Sequence, residues 1–323
     1  LHRHSSLLSL MVTRRWIPLI GAFAAGTVIA VQGRLNGGLS TFVGNGIEAA
    51  LVSFGSGLVI LVFIVLLVPT VRRGVARIPA AIRVGELNRW HILGGLIGGA
   101  FIGVQSIAIP IVGVAVFTVA VVAGQSTNSL FVDKVGLGPA GKQPITWNRA
   151  ISALIAVVAV AVAVSDRFTS GGVSLIVVAV TFVGGLGVAV QQAINGRVSN
   201  AARNPISATF YNFFFGTAIL AFAFAGAWVV SDTDAKVIGG APWWLYAGGV
   251  LGVILIAIAA WAVPKIGVLA FALVSISGQL SGALVIDVVA PTTSTNFGWH
   301  LVAGVLIAFL AVALGARGRL RVS

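Results

Sequence analysis

Residues 26–40 read GTVIAVQGRLNGGLS, and residues 185–199 read GLGVAVQQAINGRVS. One offset of 159 carries Gln32 onto Gln191 and Asn36 onto Asn195 without a gap. The same register aligns Asn45 with Asn204, Phe54 with Phe213 and Gly57 with Gly216. Further along, an offset of 154 aligns Trp90 with Trp244, Gly98 with Gly252 and Pro110 with Pro264. It also brings Gly124-Gln125 onto Gly278-Gln279, and Asp133 onto Asp287. Coincidences of Gly, Pro, Trp and Gln in this number read as a duplication, with an amide pair four residues apart in the first apolar run of each half.

The chain of 323 residues is 58% hydrophobic and only 8% charged, with a mean hydropathy of +1.07. Soluble domains carry about 25% charged residues, so these side chains cannot build a water-facing surface. Apolar stretches recur at the roughly 20-residue length that crosses about 30 Å of hydrocarbon. They are continuous rather than alternating, which excludes a transmembrane barrel. The expected class is an all-α membrane protein whose lasting partner is the lipid bilayer.

A net charge of +13 invites a nucleic-acid reading, but the cations sit in short gaps between apolar runs and no basic-aromatic motif accompanies them. No nucleic-acid partner is expected. Cysteine is absent and the four histidines are scattered, so no disulfide, metal site or cofactor is expected. No P-loop, nucleophile with a base or carboxylate pair lies within a span, and the reading is therefore not an enzyme. The sequence ahead of Met11, LHRHSSLLSL, reads as upstream of the natural start.

Ten spans are expected, near residues 16–36, 47–68, 90–109, 112–132, 148–164, 173–195, 205–230, 243–263, 266–286 and 298–315. Pro110 and Pro264 should each open a tight hairpin, and the arginine-rich 69–89 should be a loop. Under this layout 17 of the 20 Lys and Arg residues fall on one side and 3 on the other, which places both termini in the cytoplasm. Five spans per half is an odd number, so the second half enters from the opposite side. The organisation is then a segment 1–15, a five-helix repeat 16–165, an inverted five-helix repeat 172–315 and a basic tail 316–323. Inverted repeats with sites at their interface characterise secondary transporters.

Polar side chains are costly in hydrocarbon and tend to face a bundle interior or a wet cavity. Gln32, Asn36 and Gln279 should form a layer on the outer side of the midplane, and Gln191, Asn195 and Gln125 one on the inner side. The layers read either as gates flanking a cavity or as interhelical packing bonds. Arg34 and Glu48 are charge or coupling candidates, against the alternative that Arg34 snorkels and Glu48 favours a helix N-terminus. Asp287, without an adjacent base, is a proton-site candidate.

These residues resemble the YdcZ-like branch of the drug/metabolite transporter superfamily. Its pattern of Gln-x-x-x-Asn in the first span and Gly-Gln…Asp in the fourth falls on Gln32, Asn36, Gly124, Gln125 and Asp133, then on Gln191, Asn195, Gly278, Gln279 and Asp287. The resemblance implies a ten-helix fold with a central cavity, in a bacterial inner membrane. The chain departs from internal symmetry where Arg34 meets Ala193 and Glu48 meets Ser207. The expected function is alternating-access export of a small-molecule substrate, with proton coupling an open option and a monomer or homodimer as the assembly. A membrane scaffold or accessory subunit, or a lipid-carrier translocase, is the alternative. A solvent-reachable cavity joining Gln32, Gln125, Gln191 and Gln279 separates transporter from scaffold.

Overall fold

The computed structural model describes the backbone of residues 2–165, 172–230, 240–266, 268–291 and 298–320, with side chains from residue 16 to 314 except at 166–174, 228–239, 260, 263, 264, 267–270 and 292–297. Arg167, Lys236, Gly267, the side chain of Pro264 and the side chains of 1–15 and of the 316–323 tail therefore lie outside the described residues; the backbone at Pro264 is helical, inside Gly248–Ile266, and does not itself open a hairpin. Eleven α-helices follow one another: α1 His2–Val43, α2 Gly46–Leu67, α3 Pro69–Arg83, α4 Gly94–Val112, α5 Val114–Val135, α6 Trp147–Ala163, α7 Gly172–Ala202, α8 Pro205–Val230, α9 Gly248–Ile266, α10 Val268–Val289 and α11 Trp299–Leu320. Short 3-10 turns, Arg89–Leu93 and Trp243–Ala247, lead into α4 and α9.

Seven helices among the described residues are long and apolar enough to cross a membrane, and three shorter apolar ones span Trp147–Ala163, Trp243–Ala259 and Trp299–Leu314. Their outer faces carry large apolar side chains such as Phe63, Leu66 and Phe222, all exposed. Trp147, Trp243 and Trp299 are exposed near helix ends, and Trp16 is exposed where the apolar span of the first helix begins, as an interfacial aromatic belt requires.

Two features of the sequence reading need correction. Residues 69–83 are helix α3, not loop. Pro69 opens it with a φ already suited to a first turn. Its buried Val71, Gly74, Ile78 and Ala81 recur at helical spacing; Ile78 and Ala81 pack with Val198, Ala201, Ala202 and Ala208, and Gly74 lies against Ser207 and the Ala202 carbonyl. Pro110, in turn, lies inside the last turn of α4, and the chain reverses three residues later at Gly113, whose φ of 83° only glycine adopts freely.

The contacts are exchanged between halves. Helix α1 packs chiefly on α10 and α9, whereas α7 packs on α5 and α4; α2 meets α8, and α6 meets α11. The closest approaches occur at duplicated glycines. A Cβ on Gly26 would stand 1.8 Å from the Ser275 carbonyl oxygen, and one on Gly278 would stand 2.0 Å from that of Phe23. In the other pair, a Cβ on Gly185 would stand 2.4 Å from the Val121 oxygen, and one on Gly124 would stand 2.2 Å from that of Phe182. Each of these residues is the register mate of its counterpart. Phe54 and Phe213, themselves mates, stack with centroids 4.7 Å apart where α2 meets α8.

The start of each half's second helix is capped alike. Asn45 Oδ1 accepts the N–H groups of Ile47 and Glu48, and Asn204 Oδ1 accepts those of Ile206 and Ser207, as an N-cap amide does.

Because the neighbouring atoms at Gly26 and Gly278 are backbone, neither helix can yield locally. Gly26→Ala or Gly278→Ala should each lower stability by about 1–3 kcal/mol. Gly55, with nothing within 4 Å of its would-be Cβ, should instead tolerate alanine. Thermal unfolding of the purified variants in detergent separates the two outcomes.

Candidate functional site

The amide pairs sit on glycines of the opposite half. Gln32 Nε2 donates to the Gly248 carbonyl at 2.8 Å. A Cβ on Gly248 would stand 2.3 Å from Asn36 Oδ1, and one on Gly252 would stand 3.1 Å from Gln32 Nε2. The second seam repeats this: a Cβ on Gly94 would stand 3.1 Å from Asn195 Oδ1, and one on Gly98 would stand 2.3 Å from Gln191 Nε2. The Gly-x-x-x-Gly steps of α4 and α9 are therefore seats for amides as well as packing ridges.

The two copies differ in how the amides are satisfied. Gln191 Nε2 donates to Asn212 Oδ1 at 3.0 Å. The register mate of Asn212 is Ser53, too short for that bond, and Gln32 turns to a backbone carbonyl instead. Asn36 Nδ2 donates to Gln105 Oε1 at 3.3 Å. Asn36 Oδ1 and Ser53 Oγ are left buried without a hydrogen-bond partner, and both face Gly248. Buried polar atoms are rarely left so, because each costs about 1–3 kcal/mol.

Gln105, Ser53 and Asn212 are the residues that sequence reasoning missed. Gln105 is 2% exposed in the middle of an otherwise apolar helix, a signal readable by eye. Its register position in the second half is Ala259, so a search for duplicated polar residues passes over it. Gln279 is buried and Gln125 half-buried. They follow Gly278 and Gly124 at the tightest helix crossings, away from the Gly248 and Gly98 seats. The six amides thus divide into four on the glycine seats and two at the crossings.

The charged candidates are dispersed. Arg34 Nε donates to the Ala290 carbonyl at 3.1 Å. Glu48 is 3% exposed in the first turn of α2, where the helix dipole favours a carboxylate. Asp287 is 1% exposed and caps another helix: its two oxygens accept the Val114 N–H at 3.0 Å and the Ala115 N–H at 2.8 Å. These are the first free donors of α5. Its register mate Asp133 pairs with Arg149 on α6 at 2.5 Å.

Gln32, Asn36 and Gln191 are buried in the seams. Two depressions, about 480 Å³ beside the α1–α2 turn and about 460 Å³ walled by Ile17, Pro18, Trp261 and Lys265, lie away from the glycine seats. Lys265 Nζ stands 3.9 Å over the Trp261 ring. Among the described residues no group of His, Cys, Asp and Glu is placed to hold a metal.

A helical bundle with lipid-sized apolar crossings and buried amides between its halves is a membrane protein of the transporter class. The chain belongs to the family described as "Putative inner membrane exporter, YdcZ", whose model matches residues 17–162 and again 176–314. No curated protein and no solved structure matches the chain.

The Asp287 cap makes a direct prediction. Asp287→Asn keeps the shape but presents an amide NH2 to one of the two N–H donors, and should cost about 1–3 kcal/mol. Thermal unfolding in detergent reads this. An unchanged midpoint with transport abolished would point to proton coupling and sink the capping role.

Proposed function

We propose that this protein exports small polar organic solutes across the inner membrane by alternating access. Its ten apolar helices form two inverted five-helix repeats, with both termini cytoplasmic. The α1–α9 seam at Gln32 and Asn36 faces outward, and the α4–α7 seam at Gln191 and Asn195 faces the cytoplasm. The charge count and the odd number of spans per half support the sidedness, and the exchange of contacts between halves supports the symmetry.

The observation that carries this reading is the pair of unpaired oxygens, Asn36 Oδ1 and Ser53 Oγ, beside Gly248. A purely structural seam gains nothing from buried hydroxyl and amide groups that bond to nothing. A solute with hydroxyl or amide donors would satisfy both when the seam parts. Gln32, Asn36, Gln105 and Ser53 then hold the substrate, while Gln191, Asn195 and Asn212 close the opposite end. Gln125 and Gln279, at the crossings, act on the hinge between halves. Of the acids, Glu48 is the coupling candidate that remains, since both Asp287 oxygens are engaged by backbone N–H groups.

The closed packing of Gln32 and Gln191 on glycine favours the scaffold reading on geometry alone, because among the described residues neither of the two depressions reaches the four glutamines. Family membership weighs the other way, and the two readings part on one variant. Ser53→Ala removes an unpaired hydroxyl, so it should leave stability unchanged or raise it by about 1 kcal/mol. The transporter reading expects loss of solute export in cells and in proteoliposomes. A library of small polar metabolites should also contain a compound that raises the unfolding temperature with concentration in the parent and not in Ser53→Ala. If none stabilises the parent and no export is detected, the protein is a scaffold.

A further inference from the structure

Helix α3 is the one element whose chemistry neither the seams nor the family explains. It joins α2 to α4, both long and apolar enough to cross a membrane, and begins two residues after α2 ends. It is too polar and too short to cross, so it lies along the bilayer surface. One face is fixed on the protein by Val71, Gly74, Ile78 and Ala81. The opposite face presents Arg72, Arg73, Arg77 and Arg83, all exposed.

Arg72 donates to the Leu66 carbonyl at 3.5 Å, but among the described residues these arginines meet no carboxylate. Among the described residues none of the four is in an ion pair, and the one acid between 69 and 90 is Glu86, itself exposed. Arg73 and Arg77 stand four residues apart, where like charges weaken a helix. Such a face attracts an anion from outside the chain, and at a membrane surface the abundant anion is the phospholipid headgroup. Long arginine side chains reach it from a helix seated at the interface.

The protein-facing side is equally specific. Pro79 sits inside the helix and removes the N–H that would bond the Val75 carbonyl. Tyr211 O–H donates to that freed oxygen at 3.2 Å, and Ser207 Oγ donates to the Val71 carbonyl at 2.9 Å. Both donors belong to α8. Through them a first-half helix straps the α7–α8 turn of the second half.

We infer that α3 is a lipid-sensing strap: Arg72, Arg73, Arg77 and Arg83 bind anionic phospholipid headgroups, and this holds the apolar face of α3 down on the α7–α8 turn. The inference requires that the protein sits in a bilayer, and it requires neither transport nor a particular sidedness.

The chain has no cysteine, so a single reporter can be placed without background. Ala81→Cys puts a thiol on the buried face of α3, reachable by membrane-permeant N-ethylmaleimide only when the strap lifts. The full-length protein is reconstituted in vesicles of phosphatidylcholine alone, or with about one-quarter phosphatidylglycerol. Labelling should be roughly tenfold slower in the anionic vesicles, and high salt should remove much of the difference. Replacing the four arginines by glutamine should give the same fast rate in both lipids. Inorganic phosphate added to neutral vesicles should not slow labelling; if it slows it as much as phosphatidylglycerol does, the ligand is a soluble anion and not a headgroup. Equal rates in the two lipids, or a difference that survives the glutamine replacements, overturn the strap. If Ala81→Cys does not fold, a spin label on Ala76→Cys, on the exposed face, replaces it. Its spectrum should broaden in anionic vesicles only, and an identical spectrum in both lipids overturns the strap in the same way.

Discussion

The fold depends on the places where helix backbones of the two halves touch at glycines. Lipid tails are as apolar as leucine, so helices in a membrane gain little by hiding apolar side chains from them. Association must come from close packing and from polar groups that lipid cannot satisfy. Gly26 and Gly278, then Gly124 and Gly185, let carbonyl oxygens of one half approach helices of the other. This approach sets the spacing of α1 from α10 and of α7 from α5. The amides of Gln32 and Gln191, six residues past Gly26 and Gly185, then fall on the glycines of α9 and α4. A methyl group at the first contact would move the second.

Duplication has kept these packing positions and let the polar ones diverge. Asn212 bonds Gln191, while Ser53 at the equivalent place bonds nothing through its hydroxyl. Glu48 is a buried carboxyl in the first turn of α2, and its mate Ser207 gives its hydroxyl to α3. At these two register positions the second half uses its polar groups for internal and strap contacts. The first half keeps an unpaired hydroxyl and a buried acid there. On the transporter reading, that asymmetry puts solute recognition in the first half and closure in the second.

What was legible in the sequence was whatever the two halves share. The helix positions follow from the apolar runs, and the glycine register and the Gln-x-x-x-Asn pairs from comparing one half with the other. Gln105 was lost because Ala259 stands at its mate's position. Helix α3 was lost because its arginines were counted toward sidedness, although Val71, Gly74, Ile78 and Ala81 carry a helical stripe. The role of Asp287 was out of reach for another reason: its partners are backbone N–H groups, which leave no trace in the sequence. Pro110 misled because a proline in a last helical turn costs little when neighbouring helices satisfy the freed backbone.

The two seams are not held equally. Gln32 donates across the halves to Gly248, whereas Gln191 bonds Asn212 within its own half. Parting the α1–α9 seam breaks a hydrogen bond worth about 0.5–1.5 kcal/mol, and parting the α4–α7 seam breaks no such amide bond. That difference alone would favour opening at α4–α7 by roughly two- to tenfold. Helix α3 acts in the other direction, since its two carbonyls accept from Ser207 and Tyr211 at that same end. The strap therefore restores to the α4–α7 end the cross-half bonding that its amides lack. Under the proposed alternating-access mechanism, a bundle tied comparably at both ends is the condition for alternation, because a large bias toward either opening would trap the molecule there.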